Sequence, residues 1–221
     1  MNRSSVFVAV SLCLVLFAPL TAGQRAASGA SGALSAATRQ EMMKSLERGA
    51  AYLRQQQRPD GTFDAHPGVS AVAVAALLRQ PGISREKMME AGGKWLDAIA
   101  TLAKPDGGIY AKDVPHYITA VSVMALAAGG RPQDKPLIEK GRRYLAEHIW
   151  DEGEGIKPSD KWYGGIGYGG SNPDRRADII SLEYALRAMK EAELPANDAA
   201  WDAGLMLSQA KRLVGGLPVG S

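Results

Sequence analysis

The chain has 221 residues, of which 46% are hydrophobic and 22% charged, a mixture that excludes a disordered polypeptide and can supply a sizeable core. Its 26 basic and 23 acidic residues leave a net charge of +3, scattered without a basic stripe, which argues against a nucleic-acid partner.

At the N-terminus, Arg3 precedes an uncharged apolar run from Val6 to Ala18. At about thirteen residues it is too short to cross a hydrocarbon core of about 30 Å as a helix. With the small residues Thr21, Ala22 and Gly23 after it, the run reads as a secretory signal cleaved near Gly23/Gln24. The mature chain is therefore expected to be secreted or periplasmic, with no stable membrane span. Cys13, the only cysteine, would leave with that segment. No disulfide, thiolate nucleophile or cysteine–zinc site then remains, and His66, His116 and His148 would all have to converge to make an all-histidine metal site. Neither metal nor cofactor is expected. Residues 24–37, rich in Ala, Ser and Gly, read as a flexible linker before a repeat domain at 38–212 and a short flexible tail at 213–221.

Along that domain two kinds of helix alternate. Charged, amphipathic stretches are predicted near Thr38–Gln57, Arg85–Leu102, Lys135–Ile149 and Asp198–Lys211, and smaller, mostly apolar ones near Val69–Arg79, Tyr117–Ala128 and Ile179–Glu191. The first two apolar stretches carry almost no charge, which demands burial all round, whereas the third contains Glu183 and Arg187 and faces a wetter place. Ser70-Ala71-Val72-Ala73-Val74 and Thr119-Ala120-Val121-Ser122-Val123 superimpose at an offset of 49 residues. No strand signal is present. The alternation predicts an all-α fold in which outer helices shield inner ones.

A second motif marks the outer helices. Gly49 precedes Tyr52-Leu53, Gly92 precedes Trp95-Leu96, Gly141 precedes Tyr144-Leu145 and Gly204 precedes Leu207, at separations of 43, 49 and 63 residues. Glycine turns ending in aromatics follow the first three: Pro59-Asp60-Gly61-Thr62-Phe63, Pro105-Asp106-Gly107-Gly108-Ile109-Tyr110, and Trp162-Tyr163-Gly164-Gly165-Ile166-Gly167-Tyr168. Proline presets φ, aspartate bonds nearby backbone and glycine takes positive φ, so each is turn chemistry.

Arg48-Gly49-Ala50-Ala51-Tyr52-Leu53-Arg54-Gln55-Gln56-Gln57 with the turn after it resembles the glutamine-tryptophan repeat of squalene-hopene cyclases and the related repeat of protein prenyltransferase β subunits. Phe63 stands where tryptophan is usual. The Tyr163–Gly169 stretch is similar to one in exported bacterial prenyltransferase and squalene oxidase repeat proteins. The resemblance covers roughly Gln40 to Lys211. It implies an α/α toroid around an apolar cavity, here an incomplete, truncated ring of about three and a half helical hairpins, since terminal caps are missing. Uncapped repeat ends imply self-association or a protein partner.

The same resemblance frames the chemistry. Squalene cyclases use an Asp-x-Asp-Asp cluster, and none occurs here; protein prenyltransferases use a zinc-ligating cysteine, which the mature chain would lack. Asp151, Glu152 and Glu154 form a polar loop, and Asp174 lies before Asp178. A non-catalytic protein that binds an isoprenoid-like apolar ligand or a protein is the leading expectation. The enzymatic alternative is an isoprenoid cyclase or transferase with Asp178 or Glu183 as its cavity acid, although Asp178 at a helix start equally suits a cap. Tyr110, His116, Trp162, Tyr163 and Tyr168 are the candidate ligand-binding residues. Tyr52, Trp95 and Tyr144 read as packing, His66 and His116 as residues preceding inner helices. A bare assembly module is the remaining alternative.

Overall fold

The computed structural model describes residues 34–169 and 177–204, and within them the protein is all-α, its one non-helical pairing being an isolated bridge between Ala103 and Ile109. The expected signal, most of the linker, Asp174, Leu207 and the tail lie outside the described residues. By internal contacts residues 1–39 form one unit and residues 40–221 another. The second unit holds the packed helices, the first of which begins just before it.

Six helices follow in order: α1 Ala36–Gln56, α2 Pro67–Leu78, α3 Arg85–Ala100, α4 Pro115–Gly129, α5 Lys135–Ala146 and α6 Ile179–Glu191, with residues 199–204 helical again. α2 and α4 start two residues earlier than their apolar stretches suggest. Pro67 and Pro115 sit in the first turn, where a missing N–H costs nothing. Lys135–Ile149 instead ends as a helix at Ala146, with His148 and Ile149 turning through backbone bonds to Leu145 and Ala146.

α2, α4 and α6 lie side by side in an inner row, with α3 against α2 and α4, and α5 against α4 and α6. The motif glycines let the layers approach. A Cβ on Gly92 would meet Leu78 at 2.9 Å and Val74 at 3.2 Å, one on Gly141 would meet Val123 at 2.5 Å, and one on Gly204 would meet Leu186 at 3.0 Å. α3, α5 and the helical residues 199–204 thus seat their glycine as a notch over the inner helix before them.

The turns bind their inner helices through hydroxyls. Ser70 Oγ accepts from the Phe63 N–H at 2.9 Å and Thr119 Oγ1 accepts from the Ile109 N–H at 2.9 Å. The third copy has Ser181, whose hydroxyl is buried with no partner among the described residues. Phe63, Ile109 and Ile166 fill the equivalent core position, so the residue after the double glycine, and not the aromatic closing the second and third turns, is the buried one. Gly61 and Gly107 take φ of +85° and +92°, as the turn chemistry requires.

Candidate functional site

Two residues along an α-helix is about 200° around it, so a residue two away from one that fills a notch lies on the opposite face. In the inner row the notch-filling residues Val74, Val123 and Leu182 are fully buried. Val72, Tyr117, Met124 and Tyr184 are only half-buried, Ala76 and Ile180 are exposed, and all six lie on or near the opposite face. Among the described residues no outer helix covers that face. Val72, Ala76, Val121, Met124 and Tyr184 line a depression of about 170 Å³ there, floored by Ala75 and edged by Arg79.

The face is apolar along its length and polar at its edge. Tyr117 and Tyr184 meet edge to face, with ring centroids 5.4 Å apart and planes at 83°. Burial, then the neighbouring Tyr184 and Tyr168 phenols, push the Tyr117 phenol up to about 12, and burial followed by Glu183 raises Tyr184. Both are therefore neutral hydrogen-bonding groups at physiological pH. At the edge, Arg79 is ion-paired with Glu191 and donates to the Met124 carbonyl at 2.9 Å, which leaves its charge already answered.

Near the N-terminal ends of α4 and α6 a glycine-rich strap, residues 164–169, is tied down on several sides. Gly164 N–H donates to Trp150 O at 2.7 Å and Trp150 N–H to Gly165 O at 2.8 Å; Asp178 N–H donates to Ile166 O and His116 N–H to Tyr168 O. His116 Nδ1 lies 2.9 Å from Gly167 O. A carbonyl only accepts, so Nδ1 carries the proton. His148 Nδ1 donates to Tyr144 O at 2.7 Å by the same reasoning. The two imidazoles lie 4.7 Å apart, with Tyr144 4.2 Å from His148 and 5.8 Å from His116. Burial lowers the His116 pKa to about 4, the Gly167 carbonyl opposing and His148 adding to the shift. Burial, with Asp106 next, raises Tyr144 above its ordinary range.

The sequence candidates divide between these places. His116 is buried beneath the strap, and Tyr110 reaches the same cluster through Tyr144 at 6.2 Å while its hydroxyl donates to Asp106 at 2.6 Å. Tyr168 is exposed on the strap, its phenol raised by burial and then by the Asp178 carboxylate beside it. Asp178 is the N-cap of α6, its Oδ2 accepting from Ser181 N–H at 2.7 Å. Glu183 is exposed and paired with Arg187 at 2.7 Å. Tyr163 donates to Glu152 at 3.0 Å and Trp162 packs beneath the Lys161 ammonium at 5.0 Å, which ties both to the loop before the strap. His66 caps α2, accepting from Gly68 N–H. Sequence reading missed the pairing of His116 with His148 and the half-buried Tyr117–Tyr184 pair.

Among the described residues no group of three or more His, Cys, Asp or Glu side chains is placed to hold a metal ion, and no helix is long and apolar enough to cross a membrane. Comparison with protein-family models, with curated proteins and with solved structures finds no match.

Proposed function

We propose that this is an exported α/α-repeat protein, an incomplete toroid of the prenyltransferase and squalene oxidase repeat kind with about three and a half hairpins, that binds an isoprenoid-like apolar ligand without transforming it. The observation that carries the reading is the uncovered face of the inner row: Val72, Ala76, Met124 and Tyr184 leave apolar surface open where the notch face of the same helices is sealed. A flexible hydrocarbon suits a shallow apolar face whose one edging charge, Arg79, is already answered by Glu191 and the Met124 carbonyl.

The non-catalytic part rests on the two carboxylates. Alkene protonation needs a dry, unpaired acid, but Asp178 is engaged in capping α6 and Glu183 stands in solvent beside Arg187. Native mass spectrometry and fluorescence titration of the full chain with geranylgeraniol test the reading. Saturable binding is expected, with the alcohol recovered unchanged. Ala76→Glu or Met124→Glu should weaken it at least about tenfold by placing a charge on the apolar face. Absence of binding would overturn the ligand reading; turnover abolished by Asp178→Asn would replace it with the enzymatic one.

A further inference from the structure

The outer helices share one motif, and one of them wears it uncovered. On α3 and α5 the glycine meets an inner helix, and the residues three and four positions on are sealed: Trp95 and Leu96 are 4% and 0% exposed, Tyr144 and Leu145 4% and 0%. On α1 a Cβ at Gly49 would meet nothing within 4 Å, Tyr52 is 42% exposed and Leu53 only half-buried. Leu46 and Met42, 50% and 49% exposed, extend the open surface one and two turns earlier, so Met42, Leu46, Gly49 and Leu53 form one stripe at helical spacing.

We propose that this stripe of α1 docks an uncharged helix of the α2 type, with a glycine turn leading into it, supplied by a different polypeptide. The occupant's chemistry is set by the covered copies. Gly92 receives Val74 and Leu78, Gly141 receives Val123 and Thr119 with Ile109 of the turn beside them, and Gly204 receives Leu182 and Leu186: in each case the inner helix offers two side chains four residues apart, aliphatic or threonine. The Tyr144 ring is closed over by the turn at Gly108, and the turn at Gly61 packs against the backbone of Lys94 and Trp95; Tyr52 stands ready for such a turn. Among the described residues a second copy of this chain has no such helix to spare, because α2, α4 and α6 each already fill the notch of the outer helix that follows them.

The test uses the full chain and a helix-stapled peptide of residues 66–80, its helicity verified by circular dichroism, in a fluorescence anisotropy titration. Saturable binding is expected, weakened at least about tenfold by Gly49→Leu, which fills the notch. Gly49→Leu alone should raise Tm slightly, since leucine forms helix better than glycine and nothing opposes it there, whereas Gly141→Leu should lower it. The proposal is overturned if the helical peptide does not bind, or if it binds Gly49→Leu equally well. It is also overturned if Gly49→Leu lowers Tm as Gly141→Leu does, which would mean that the chain's own residues fill the notch. A concentration-dependent dimer dissociated by Gly49→Leu would overturn it in favour of α1 pairing with α1 of a second copy.

Discussion

At His116 a buried imidazole meets a backbone carbonyl on one nitrogen and a second imidazole across its ring. Desolvation disfavours its cation, so the folded chain holds it neutral down to about pH 4 while the unfolded chain protonates near 6.5. Above 6.5 both states are neutral and His116 contributes no pH dependence. As pH falls through the window from 6.5 to 4 the unfolded chain takes up the proton first and stability is lost progressively. The full loss is about 3 kcal/mol. Thermal melts at pH 7, 5.5 and 4 should show that decline, and His116→Phe should flatten it; an equally steep profile in the variant would assign the effect elsewhere. Asp178 supports a second prediction at this scale. As an N-cap it should cost about 1 kcal/mol when changed to alanine and only a few tenths when changed to asparagine, which caps as well. Equal losses in urea melts of the two variants would require the charge, and not the cap, to matter.

Between helices, the motif glycines trade helix propensity against close approach, and the two terms have comparable size. Replacing glycine with alanine inside a helix gains about 1 kcal/mol, while forcing a methyl into a sealed interface costs about 1–3 kcal/mol. At Gly141, where the methyl would come within 2.5 Å of Val123, the clash wins, and Gly141→Ala should lower stability. At Gly49 nothing opposes the gain, and Gly49→Ala should raise Tm; paired calorimetry would detect the opposite signs. The same contrast explains what could be read from the sequence. Helix number and order were legible because charged and uncharged stretches alternate and glycine recurs three residues before a large apolar side chain. That Tyr52 would stand exposed while Trp95 and Tyr144 are buried was not, because the motif is the same in all three and burial depends on a neighbour that the motif does not encode. Nor did the turns disclose that Ile109 and Ile166 occupy the core while Tyr110 and Tyr168 lie outside it. In Phe63 a single residue is both the aromatic and the core plug, and the later copies separate the two. The pairing of His116 with His148 was illegible for another reason: they stand 32 residues apart, one on an inner helix and one just past the end of an outer helix, and only the layer packing joins them.

Across the packed helices, contacts pass mostly from neighbour to neighbour, so stability need not be uniform along them. α4 lies at the centre, between α2 and α6 and against α3 and α5, with eleven buried residues; α1 has Ala50 as its only buried residue. What holds α1 and the turn after it is mostly polar: Arg54 donates to the Gln80 side chain at 2.6 Å, Gln57 to the Gly61 carbonyl at 3.0 Å and the Ala91 carbonyl at 2.5 Å, and Lys94 to Pro59 O at 3.1 Å. Such bonds contribute about 1 kcal/mol each and compete with water, whereas the α4 interfaces can open only with the domain as a whole. Amide exchange should therefore sort the helices, with α4 exchanging only through global unfolding and α1 at least about a hundredfold faster. A ligand on the inner-row face would slow α2, α4 and α6 and leave α1 unchanged, while a helix docked at Gly49 would slow α1 first. Exchange measured with geranylgeraniol and with the residue 66–80 peptide thus separates the two sites in one experiment. Equal protection of α1 and α4 in the free chain would show that α1 is already covered, and the stripe would then be closed to any partner.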